Sequence, residues 1–117
     1  IAPRNGDIHP LVRDIQRRAR GGDAEAQMDL GALYEKGMGG VNRDGAEALR
    51  WYRRAADQGN VYGQYFYALL LGRGSSGVTR DEETAAIWFA KASAQRFYIA
   101  DASHWREAIK PPFWTFD

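Results

Sequence analysis

Residues 22–58, slid by 37 positions onto residues 59–95, superimpose without a gap. The identities are Gly22/Gly59, Gln27/Gln64, Leu33/Leu70, Gly37/Gly74, Gly40/Gly77, Val41/Val78, Arg43/Arg80, Asp44/Asp81, Ala48/Ala85, Trp51/Trp88, Ala55/Ala92 and Gln58/Gln95. Chance agreement at average composition would give about two or three. Conservative pairs such as Asp23/Asn60, Lys36/Arg73, Tyr52/Phe89 and Ala56/Ser93 fill further positions. A period of this length confines a chain to a stack of like units, because a single unit cannot bury its apolar face alone.

Each unit reads as two helices. Asp23 and Asn60 stand where a short side-chain oxygen can accept from the open N–H groups of a first turn. Ala26, Leu30, Leu33 and Tyr34 then follow helical spacing up to Gly37, a residue suited to a left-handed helix end. After a Gly-x-x-Gly-Val loop, Asp44 opens the second helix, and Glu47 three residues later completes a capping-box-like pattern. Ala48, Trp51, Tyr52 and Ala55 form its expected buried stripe, with alanines letting helices approach and the rings filling the remaining space.

The period continues weakly past both ends. Subtracting 37 lays Ala48, Tyr52, Ala56 and Gly59 on Leu11, Ile15, Ala19 and Gly22, which marks residues 10–20 as a lone second helix. Ile99, Ala102, Trp105 and Ile109 keep helical spacing until Pro111 and Pro112 end it, giving a closing helix over about 97–110. The expected architecture is all-α: a right-handed α/α superhelical solenoid of about six antiparallel helices. It comprises two full 37-residue repeats, 22–58 and 59–95, a half repeat at each end and a tail over 111–117, all in one domain spanning 1–117.

The run Gly22-Asp23-Ala24-Glu25-Ala26-Gln27, the segment 30–34, Gly37 with Gly40-Val41, Asp44, and residues 48–59 through Trp51-Tyr52 resemble the SEL-one-like repeat, a tetratricopeptide-related helical hairpin. The second unit departs from the first: Ala68 stands for Gly31, Leu71 for Tyr34, and Arg96 for the closing Gly59. The resemblance covers residues 10–110 and implies a non-catalytic adaptor that binds protein partners. In bacteria such repeats also occur in signalling, secretion-associated, envelope and toxin-immunity proteins. It therefore implies a second reading, an immunity protein neutralising a secreted toxin such as an envelope-acting lipase, and a periplasmic or envelope setting ahead of a cytoplasmic one.

Composition excludes several other classes. The 117 residues are 44% hydrophobic and 26% charged, enough for one core. Sixteen basic residues against fifteen acidic ones leave +1, without the basic excess that phosphate-driven nucleic-acid binding needs. The absence of cysteine removes disulfides, thiolate metal sites and a cysteine nucleophile. No uninterrupted apolar run exceeds the seven residues 65–71, far short of the roughly 20 residues of a spanning helix. Ile1 in place of a start methionine suggests a trimmed or mature chain. His9 and His104, the only histidines, have no metal spacing, and Glu82-Glu83 after Asp81 reads as helix-start charge. The glycines around positions 37–40 and 72–74 fit turns and match no phosphate-loop motif. No cofactor is expected. The run Arg13, Arg17, Arg18, Arg20 reads as a solvated face of the first helix.

One departure from the repeat carries a functional expectation. Where the first unit has Glu25, Met28, Asp29 and Ala32, the second has Tyr62, Tyr65, Phe66 and Leu69, and all four changes add apolar bulk. In tetratricopeptide-like arrays the first helix of each pair lines the concave face, so these residues with Arg73 form the expected partner-binding patch. Tyrosine suits such a surface, combining large area with few rotors and a polar tip. The competing explanation is that a middle helix, covered on both sides, simply needs more core. Tyr62, Tyr65, Leu69 and Arg73 form the stripe expected to be open. The tail Pro111-Pro112-Phe113-Trp114-Thr115-Phe116 is too apolar to be left free. Either it caps the end of the stack over Trp105 and Ile109, the favoured placement, or it lies in the concave groove against Tyr65 and Phe66 or docks on another molecule.

Overall fold

The structure, a computed structural model, describes residues 7–100, with side chains through position 95. Five helices follow one another: α1 (Pro10–Arg20), α2 (Ala24–Lys36), α3 (Gly45–Asp57), α4 (Val61–Arg73) and α5 (Glu82–Ala100). Each begins where the sequence supplies a cap. Asp23, Asp44, Asn60 and Asp81 accept from the N–H groups of Ala26, Glu47, Gly63 and Thr84 at 2.8–3.2 Å. The Nδ1 of His9 accepts from the Leu11 N–H, ahead of a proline at the first helical position. The cap at Asp44 is one-sided, however. Its own N–H donates to the Tyr34 carbonyl at 2.8 Å, so the expected capping box does not close. The Glu47 carboxylate accepts instead from Trp51 Nε1 at 3.2 Å and from Arg50.

The 37-residue translation holds at the level of single bonds. Asp44 N–H to Tyr34 O is repeated as Asp81 N–H to Leu71 O, and Gly37 N–H to Leu33 O as Gly74 N–H to Leu70 O. Of the two repeated glutamines of each unit, the first ties it to the helix before it and the second closes the unit on its own first residue. Gln27 Nε2 donates to the Ala19 carbonyl at 3.0 Å and Gln64 Nε2 to that of Ala56 at 3.4 Å. Gln58 and Gln95 likewise donate to the carbonyls of Gly22 and Gly59. The Ala19 and Ala56 carbonyls also accept from the N–H groups of Gly22 and Gly59, so the buried amides of Gln27 and Gln64 add a second donor that ties adjacent helices together.

Trp51 and Trp88 are both 7% exposed, one per unit. Trp51 packs with Ala19, Ala26 and Leu30, while Trp88 joins the second cluster with Ala48, Tyr52, Tyr67, Leu70 and Ala85. Tyr67 meets the Trp88 ring edge-on at 5.3 Å. On the outer side, the Arg53 guanidinium lies 5.0 Å from the centre of the Trp88 ring, Arg54 lies 4.5 Å above Trp51 and Lys91 4.2 Å above Trp88. These flanking cations cover the tryptophan layers from solvent.

Successive helices pack in order. The backbones of α2 and α4 also come within 8 Å of each other, and those of α3 and α5 do not. The stack therefore curves with α2 and α4 on its inner face.

Two expectations are corrected. Leu11 was placed on the buried stripe of α1 but is 69% exposed, and Val12, Ile15 and Ala19 face α2 instead. Because α2 is the only described helix whose backbone lies against α1, one narrow stripe of it is covered, and the helix turns Leu11 outward. Leu33 and Tyr34, which keep the helical spacing of α2, are half-buried. The boundary after Gln95 is not a helix boundary, since α5 runs on to Ala100. At the equivalent place α3 stops before Gly59, whose φ of +87° suits glycine, and Arg96 stands in the position of that stop. The described residues thus hold five helices, and most of the expected closing helix and the tail lie outside them.

Candidate protein-binding site

The inner face of α4 presents the aromatic residues. Tyr62 and Tyr65 are 55% and 41% exposed, while Phe66 and Leu69 are half-buried. Phe66 is part of the core and the foundation of the patch, its ring stacked on that of Tyr52 with 5.8 Å between centroids. Tyr65 sits edge-on between Phe66 at 5.5 Å and Phe89 at 5.6 Å. Among the four bulky residues, Phe66 thus supports the core, while Tyr62 and Tyr65 face solvent.

Tyr65, Phe66, Leu69 and Arg73 come together, with Tyr62 one turn nearer the helix start. Leu69 and Arg73, with Gly72, Ala85, Ala86 and Phe89, line an apolar groove of about 320 Å³ between α4 and α5. Arg73 is also a wall of a second, polar basin of about 550 Å³, shared with Glu35, Lys36, Arg43, Ser75 and Ser76. This one side chain joins an apolar trough to a basic pocket.

Glu35 fixes the join. Its Oε1 accepts from the Tyr52 hydroxyl at 2.7 Å and its Oε2 pairs with the Arg73 guanidinium, across from α2 to α4. Burial, reinforced by the adjacent carboxylate, pushes the Tyr52 hydroxyl well above the ordinary phenol range, so it remains a donor. Arg43 donates through Nε to the Glu35 carbonyl at 3.2 Å. Both carboxylate oxygens of Glu35 are occupied, and the cations of the basin exceed its acid.

The sequence reading missed Glu35, although a signal was present. Translation by 37 sets Glu35 on Gly72 and Tyr52 on Phe89. The hydroxyl and its acceptor disappear together in the second unit, as expected if they are partners. Two arginines of the basic run of α1 are ion-paired, Arg17 and Arg18 with Asp14, and Arg18 also with Asp23. Among the described residues, no group of three or more His, Cys, Asp or Glu is placed to hold a metal ion. No described helix is long and apolar enough to cross a membrane.

The Sel1 repeat family profile matches residues 24–60 and 61–97, two adjacent units of the same 37-residue length. The chain belongs to the Sel1 repeat family. Sel1 repeat proteins are generally non-catalytic protein–protein interaction modules. Among solved structures, it is similar to c5321, a protective antigen present in uropathogenic Escherichia coli strains and displaying an SLR fold. The identity is 31% and the TM-score 0.69 over 86% of this chain and 22% of that one. It is also similar to a Sel1 repeat protein from Oxalobacter formigenes, with 33% identity and a TM-score of 0.66 over 83% of this chain and 68% of that one. This chain thus spans about a fifth of the length of c5321. Among curated proteins none matches.

Proposed function

We propose that this Sel1 repeat chain is a non-catalytic protein-binding module that holds a peptide or loop of a partner on the inner face of α4. The carrying observation is the exposed Tyr65, braced edge-on by Phe66 and Phe89 beside an apolar groove that ends at Arg73. A ring held by two others gives contact area at little cost in rotor freedom, and Arg73, set by Glu35, adds a directional donor at the groove's end. Neutralising a toxin would draw on this same surface, and no feature of the fold favours it separately. A pull-down from the source cell with the intact protein, Tyr65→Ala and Arg73→Glu tests the proposal. A partner retained by the parent should be lost by both variants, with losses of about 2 kcal/mol or more in titration, while their melting temperatures stay near the parent's. Equal retention by all three proteins would place binding elsewhere.

A further inference from the structure

We infer that residues 113–117 of this same chain dock onto the α4–α5 face, their aromatic side chains in the apolar groove and the Asp117 carboxylate in the basin beside Arg73. The inference rests on the same site as the proposed function and names a competitor for it. The face has two parts meeting at one residue: an apolar trough lined by Leu69, Ala85 and Phe89, and a basin carrying Lys36, Arg43 and Arg73. Of the carboxylates beside them, Glu35 is engaged by Tyr52 and Arg73, and Glu82 is paired with Arg80. A ligand suited to both parts carries aromatic residues next to a carboxylate. The chain contains that combination as Phe113-Trp114-Thr115-Phe116-Asp117.

The segment just after α5 is poorly suited to cover this face as a further repeat would. In the first unit Met28 and Ala32 pack against the core cluster that spans both units, and the same positions of the second unit are Tyr65 and Leu69. Continuing the translation lays His104 on Tyr67 and Glu107 on Leu70, which are 7% and 1% exposed. A carboxylate at a fully buried aliphatic position would be strongly disfavoured. The helix has also run past the point where a next unit would turn.

Reach is sufficient. The 19 residues of α5 place its end about 27 Å from Glu82, at the groove. The 17 residues 101–117 can span at most about 56 Å of chain, more than that distance.

The test uses the full chain, whose lack of cysteine allows a single spin label. With a nitroxide on Thr115→Cys, the amide signals of Leu69, Arg73 and Ser76 should lose most of their intensity relative to the reduced label, while those of Val12 and Ala19 on α1 keep theirs. Asp117→Lys and Arg73→Glu should each restore the lost intensity. A nitroxide on Ser76→Cys, read at residues 113–117, guards against a label that itself disturbs the tail. Undiminished signals with both labels would overturn the inference, as would broadening that persists in both charge variants. Broadening transferred to an unlabelled copy in a mixed sample would also overturn it, by assigning the contact to a second molecule. The measurement contains no partner, so its failure is distinct from failure of the binding proposal.

Discussion

Glu35 shows how much rests on one side chain when two units of a repeat are not quite alike. It receives the Tyr52 hydroxyl and the Arg73 guanidinium on separate oxygens. Removing it leaves a buried hydroxyl without its acceptor, so Glu35→Ala should cost about 1–3 kcal/mol in chemical denaturation. Tyr52→Phe removes the donor as well, and the double variant should cost less than the two single losses added together. Strict additivity would mean that the hydroxyl and carboxylate do not depend on each other. Gly31 makes a complementary case on the other side of the Tyr52 ring. A Cβ there would stand 2.7 Å from two ring carbons, whereas Ala68, the matching residue of the second unit, is accommodated with no exposure. Gly31→Ala should therefore destabilise by about 1–3 kcal/mol through overpacking, although alanine is the better helix former by about 1 kcal/mol. A rise in melting temperature would show that the ring yields. Neither contact can be read from one unit alone, and the Glu35/Gly72 and Tyr52/Phe89 exchanges become informative only when both units are set side by side.

At the scale of the helix, the caps were legible because they depend on a few adjacent residues. Asp23 and Asp81 each accept from first-turn N–H groups, and these bonds hold their carboxyls below the usual aspartate range: through the backbone of Ala26 for Asp23, and through Thr84 for Asp81. A carboxyl with a lowered folded-state pKa contributes stability above its unfolded value, near 4, and loses it as the pH falls through the folded value. Replacing both by Asn keeps the acceptor oxygen and removes the titration. Below about pH 4 the melting temperature of the double variant should thus fall less steeply than the parent's, with little difference at neutral pH. Parallel pH profiles would dismiss the carboxylates as part of the acid response. Helix ends that depend on distant neighbours were less legible. The Asp44 N–H is taken by Tyr34 from another helix, which excludes the capping box that local spacing suggested. The C-terminal extension of α5 beyond Gln95 follows from the absence of a glycine stop, a signal weaker than a positive one.

Across the whole molecule, the two tryptophan layers are equivalent in position but unequal in surroundings. Trp51 packs with α1 and α2, near the start of the stack, while Trp88 belongs to the larger cluster that includes Tyr67 and Leu70. Trp51→Ala and Trp88→Ala should each cost about 3–5 kcal/mol. Because neighbouring units contribute separately to the stability of a stack, hydrogen exchange should show Trp88→Ala loosening α4 and α5 before α1. Uniform loss of protection through all five helices would indicate a single cooperative unit.

The sequence alone determined the period, the helix pair within it, four of its caps and the positions of both tryptophans, because these depend on local spacing or are stated twice in the chain. It also singled out α4 as unusual. Only the tertiary structure decided which of the bulky residues of α4 support the core and which face solvent, since a helix's exposure is set by the neighbours around it and by its rotation against them. Leu11 and Val12 differ by a single position, yet one is 69% exposed and the other 5%, because α1 has a neighbour on one side only. The meeting of Glu35, Tyr52 and Arg73 belongs to the same class. These residues come from α2, α3 and α4, and only the curvature that brings α2 against α4 closes the distance between them.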